Sequence, residues 1–117
     1  MTNANQFPDD ENGDVLRSMA ESGDDLSKPR DIDFTVVMPD EDAATRFGAH
    51  FESAGYLVKV AETRTVQELP WDVVVVKRML PSHAGITEFE DELEVVAARL
   101  GGRNDGWGCF EQPEHIH

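Results

Sequence analysis

From Arg30 the chain alternates. Ile32, Phe34, Val36 and Met38 are apolar, Asp33 and Thr35 between them are polar, and Pro39 ends the run. A period of two over this length predicts a half-buried strand. Asp40 then caps a helix, DEDAATRFGAHFESAG, in which Ala44, Phe47, Phe51 and Ala54 recur at helical spacing before Gly55 stops it. Tyr56 to Glu62 (YLVKVAE) reads as a second strand, TRTVQELP as a polar linker, and Trp71 to Leu80 (WDVVVVKRML) as a third strand. Val73 to Val76 place apolar side chains on both faces, so this third strand belongs inside a sheet rather than at its edge. Pro81 ends it, and Ser82 begins the next turn.

Ala84 to Leu100 carries Ile86, Phe89, Leu93, Val96, Ala97 and Leu100 within a stripe about 100° wide, which predicts an amphipathic helix. Its opposite face holds Glu88, Glu90, Asp91, Glu92 and Glu94, with Arg99 near the C-terminal end, where a cation suits the helix dipole. GGRNDGWGCF, residues 101–110, supplies a last strand. Gly101 and Gly102 release the helix, and Asn104-Asp105-Gly106 turns the chain. Ahead of all these elements, DDENGDVLRSMAESGDD offers a shorter helix with Val15, Leu16 and Met19 as its apolar stripe and Gly23 as its stop. Gly13 weakens its first turn, so its start falls near Asn12 or Gly13.

The order is helix, then strand-helix-strand-strand-helix-strand. It predicts an α+β fold, a ferredoxin-like βαββαβ sandwich with a four-stranded antiparallel sheet and an extra N-terminal helix. Right-handed crossovers place both main helices on one face and make the first and third strands central, in keeping with their greater hydrophobicity. The expected organisation is a disordered N-terminus over 1–6, a single domain over 7–111 and a C-terminal tail over 112–117.

Composition narrows the function. With 117 residues and 39% hydrophobic content the chain is one domain with a modest core. Ten Lys and Arg against twenty-four Asp and Glu give a net charge of −14. That surface repels phosphate backbones and anionic headgroups and favours a basic partner, so direct nucleic-acid binding is not expected. The longest clean apolar run is far short of the roughly 20 residues of a spanning helix, and no basic-then-apolar signal segment opens the chain. A cytoplasmic protein without membrane contact is the expectation.

The chemistry-bearing residues are few. The glycines of residues 101–108 follow a helix instead of preceding one, and no lysine or hydroxyl follows at P-loop spacing, so a phosphate cradle is not expected. Cys109, the single cysteine, forms no intrachain disulfide, and its pairing with His83 as a catalytic couple has no recognised spacing behind it. Among His50, His83, His115 and His117, the ending EHIH with Glu111 and Glu114 is a loose divalent-ion candidate without HExxH or CxxC spacing. No catalytic residue, metal or cofactor is therefore expected. Trp107, flanked by two glycines, is either core packing or an interface anchor. The carboxylates of the last helix form either a solvated face or a docking surface for a basic partner.

Three segments, PRDIDFTVVMPDEDAATRF, WDVVVVKRMLPSHAGITEFEDEL and GGRNDGWGCFE, together resemble the regulator of ribonuclease E activity B (RraB) family over about residues 7–111. The most specific part is NDGWGCF, which is similar to the family's D-G-W-G-aromatic ending. The resemblance implies the sandwich with its added N-terminal helix. It also implies a non-enzymatic inhibitor that binds ribonuclease E and reduces its cleavage of RNA. Family members carry a longer acidic C-terminal tail, whereas this sequence has only Glu114 beyond Glu111. The expected partner contacts are Glu88, Glu90, Asp91, Glu92, Glu94, Asp105 and Trp107. A homodimer is left open, and the alternative function is a small-ligand-binding regulatory or sensor domain.

Overall fold

A computed structural model describes residues 10–109. The elements are α1 (Glu11–Glu21), β1 (Arg30–Met38), α2 (Glu41–Ser53), β2 (Leu57–Val66), β3 (Leu69–Met79), α3 (His83–Arg99) and β4 (Arg103–Gly108). The strands form one antiparallel sheet in the order β2-β3-β1-β4, with β1 and β3 inside. This is the ferredoxin-like α+β arrangement read from the pattern, with α1 added in front. The expected segments 1–6 and 112–117 lie outside the described residues.

Local sequence sets each helix boundary. The side chains of Asp10, Asp40 and Ser82 accept the N–H groups of Gly13, Ala43 and Gly85, each taking up a donor that the first turn leaves unpaired. With Asp10 as cap, α1 starts at Glu11, just before the expected boundary. At the end of α3, Gly102 N–H reaches the Ala97 carbonyl at 2.9 Å and Gly101 N–H the Ala98 carbonyl at 3.3 Å. Gly101 sits at φ 85°, a left-handed conformation that closes the helix and turns the chain toward β4.

The core lies between the sheet and the helices. Ile32, Phe34, Val36 and Met38 of β1 and Val73 and Val75 of β3 pack with Phe47 and Phe51 of α2 and Ile86, Phe89 and Leu93 of α3, all buried. Each such side chain contributes about 1.5–3 kcal/mol by leaving water. Phe34 and Phe89 meet edge to face with centroids 4.8 Å apart. From α1, Leu16 joins this core completely and Met19 partly, whereas Val15 is 39% exposed. The link from α1 to β1 is tied by a buried pair, Arg30 Nη1 to Asp24 Oδ2 at 2.8 Å, and Arg30 also donates to the carbonyls of Asp25 and Lys28.

Two expectations change. The polar stretch TRTVQELP is not a linker, because β2 runs to Val66 and β3 starts at Leu69, giving a hairpin whose register shifts between Glu62 and Val66. Arg64 at φ 56° absorbs the shift. Ala54 is the C-cap of α2 and is exposed, so it adds nothing to the core face of that helix. Among the described residues no helix is long and apolar enough to cross a membrane.

Candidate functional site

β4 explains its own glycine-rich sequence. Val36 of β1 pairs with Asn104 and Phe34 with Trp107, so the register slips and Asp105 and Gly106 together stand opposite Thr35. This is a β-bulge inside a strand, where the sequence pattern had suggested a turn. Gly106 supplies the φ of 106° that the bulge uses. In a regular strand, residues three apart point to opposite faces. The extra residue puts Asn104 and Trp107 on the same face, the one covered by helices.

Both side chains are then caught in a continuous polar network. Trp107 Nε1–H donates to Asn12 Oδ1 at 2.9 Å. Asn12 Nδ2 donates to Thr87 Oγ1 at 3.1 Å and to Glu90 Oε1 at 2.8 Å. The other Glu90 oxygen accepts from Asn104 Nδ2 at 2.9 Å, and Glu94 Oε1 accepts from the Asn104 backbone N–H at 2.7 Å. Gly106 N–H closes back on Asn104 Oδ1 at 3.3 Å. The network joins α1, α3 and β4 beside the core that Leu16, Phe89 and Trp107 share, and the bonds that end on Glu90 and Glu94, with charged acceptors, are the stronger kind.

Above it opens a cleft of about 570 Å³ lined by Asp10, Glu11, Asn12, Val15, Thr87, Glu90, Arg103, Asn104, Asp105, Gly106 and Trp107. Four of these carry carboxylates and one a cation, so the cleft is a region of negative potential beside an indole. The Gly13 N–H and then His83, whose Nε2 lies 2.8 Å from Asp10 Oδ2, hold the Asp10 carboxyl below its usual value. A folded value below the unfolded one means this contribution to α1 is complete above about pH 4 and is lost as pH falls through the lowered value. In Asp10→Asn, amide exchange in α1 is therefore expected to vary less with pH below about pH 4 than in the unaltered chain.

The structure sorts the seven residues named from the sequence. Glu88, Asp91 and Glu92 are exposed on the outer side of α3, next to Val95, which is 54% exposed. Glu90 is half-buried and committed with both oxygens to the network, and Glu94 is exposed but holds the Asn104 backbone. Asp105 is exposed at the bulge, and Trp107 is half-buried against the core with its N–H satisfied. Sequence reasoning did not single out Asn12, Thr87 or Asn104. The available signal was the position of Glu90, one turn from both Ile86 and Leu93 at the margin of the apolar stripe, where a carboxylate meets packed neighbours rather than water.

Cys109 and His83 have different partners. His83 is bonded to Asp10, while Cys109 packs against the core edge near Arg30. Burial, partly opposed by Arg30, pushes the Cys109 thiol above its ordinary value, the reverse of what an activated nucleophile needs. Exposed His50 stands edge to face with Phe51, and His115 and His117, with Glu111 and Glu114, lie outside the described residues. Among the described residues no group of three His, Cys, Asp or Glu side chains is placed to hold a metal ion.

The profile of one protein family, described as "Regulator of ribonuclease activity B" (RraB), matches residues 9–109. No curated protein matches the chain.

Proposed function

The chain belongs to the regulator of ribonuclease activity B family, and from that premise we propose that it is a non-catalytic, cytoplasmic regulator that binds ribonuclease E and slows its cleavage of RNA. The observation that carries the mechanism is the division of labour among the acids of α3. Glu90 and Glu94 are tied to Asn12 and Asn104, while Glu88, Asp91 and Glu92 are left facing solvent on a chain of net charge −14. A basic, RNA-binding segment of the nuclease would settle along this face, and RNA would be displaced by competition for the same positive charges. Trp107 and Asp105, at the rim, would add an aromatic face and a further carboxylate. The resting cleft suits a small metabolite less well. Such sites are mostly apolar, and here the convergent amides of Asn12 and Asn104 are already committed to Thr87 and Glu90.

The test is cleavage of a labelled RNA by purified ribonuclease E with increasing amounts of this protein at low and moderate salt. Dose-dependent slowing that fades with salt is expected. The triple change Glu88→Gln, Asp91→Asn and Glu92→Gln should weaken inhibition by roughly tenfold or more while leaving the thermal midpoint unchanged or slightly raised. No slowing at micromolar protein, or slowing that ignores both salt and the triple change, overturns the mechanism. A thermal shift with an amino acid or nucleotide in the absence of any inhibition would instead favour a sensor domain.

A further inference from the structure

We propose that the sheet face turned away from the helices is a self-association surface that takes a second copy of this chain, face to face about a twofold axis. Strand register defines the face. Since Ile32, Phe34 and Val36 point to the core, Asp31, Asp33 and Thr35 point outward, and their partners Arg78, Val76 and Val74 do the same. On β2 the outward residues alongside are Leu57, paired with Val76, and Lys59, paired with Val74. Among the described residues the helices pack on the other face. Leu57 is 61% exposed, and Val74 and Val76 are half-buried although they stand on a central strand. The patch ends at Val37, which is fully covered.

Charge selects the occupant. The chain as a whole carries ten basic residues against twenty-four acidic ones, yet this patch is balanced: Arg78 is paired with Asp31 across the strands at 3.5 Å, which leaves Lys59 against Asp33. A strongly basic or strongly acidic partner gains nothing from a balanced surface, whereas a twofold arrangement that brings Lys59 of one copy to Asp33 of the other makes that contact twice. A −14 body can approach its own copy through such a neutral, partly apolar face without local repulsion. Three strands about 4.8 Å apart and some six residues long cover roughly 300 Å² per copy, well under the ~800 Å² of a standard interface. The dimer is therefore weak, with a dissociation constant on the order of 10⁻⁴ M. Because the two bodies still repel at long range, salt strengthens the association, whereas the docking of a basic partner is weakened by salt.

Sedimentation equilibrium on the full chain from about 10 µM to 1 mM, at low and moderate salt, reads both features. A monomer–dimer equilibrium that tightens with salt is expected, and Val74→Lys and Leu57→Lys, each at an outward position, should weaken it about tenfold or more while keeping the unaltered circular dichroism. A monomer at every concentration overturns the proposal. So does a dimer that survives both lysines. If that surviving dimer is lost on placing proline at Val60, the contact lies at the free edge of β2 instead. Since RNA cleavage is assayed at micromolar protein, where this chain is monomeric, failure of self-association and failure of nuclease binding are read separately.

Discussion

Gly102→Ala is expected to lower the thermal midpoint by roughly 10–20 °C, or to yield no folded protein, the consequence of about 3 kcal/mol of overpacking in a domain of this size. A Cβ at this position would overlap the Val37 carbonyl oxygen and stand 2.6 Å from Met38 Sδ. Met38 is a flexible side chain held in the core, but the carbonyl cannot bend away at all: Val37 is paired to Asp72 on one side and Arg103 on the other, so it moves only if β1 moves. Gly102 also completes the end of α3 through its bond to Ala97. Gly108→Ala is the matched control, because nothing lies within 4 Å of a Cβ there, and its cost should stay within about 0.5 kcal/mol. Equal midpoints for the two variants would mean that the α3–β4 junction shifts freely, contrary to the tight approach seen here.

Glycine at 102 illustrates what can be read in advance and what cannot. A helix stop was legible at Gly101 and Gly102 from composition alone, as were the caps Asp40 and Ser82, the alternation of β1 and the two-sided hydrophobicity that puts β3 inside the sheet. These are local signals, each decided by a residue and its near neighbours. The contact of Gly102 with Val37 joins residues far apart in sequence and has no local signal. The same holds for the bulge: Asn-Asp-Gly is as good a turn as it is a bulge, and only the competing demand of β1 for a paired neighbour keeps the chain extended through it. The sequence pattern ends β2 too early because Thr63, Arg64 and Thr65 are polar. Hairpin pairing with β3 overrides that composition, and it does so with Arg64 in a conformation that few non-glycine residues adopt. In the candidate site, the acids of α3 were legible as a group. Their separation into bonded and free members was not, since it depends on Asn12 and Asn104, which arrive from opposite ends of the chain.

That separation makes Glu90 the most informative carboxylate. Glu90→Ala is expected to cost about 2 kcal/mol, seen as a fall in midpoint of roughly 7–13 °C, because it removes a charged acceptor from two amides at once. Asn12 keeps Thr87 as a partner, so most of the loss falls on Asn104 and on the bulge it braces. Glu88→Ala, on the same helix but facing solvent, should change stability by no more than about 0.5 kcal/mol. Pairing each change with Asn104→Ala separates the roles further. Glu90 and Asn104 share a bond and should be non-additive by about 1 kcal/mol, while Glu88 and Asn104 should add within about 0.5 kcal/mol. In the cleavage assay the order reverses: Glu88 with Asp91 and Glu92 should govern inhibition, and Glu90→Ala, assayed well below its midpoint, should inhibit nearly as well as the unaltered chain. Inhibition lost in Glu90→Ala while the protein stays folded would move the docking surface from the outer side of α3 into the cleft itself, where the network carboxylate would have to exchange Asn12 and Asn104 for a cation of the nuclease.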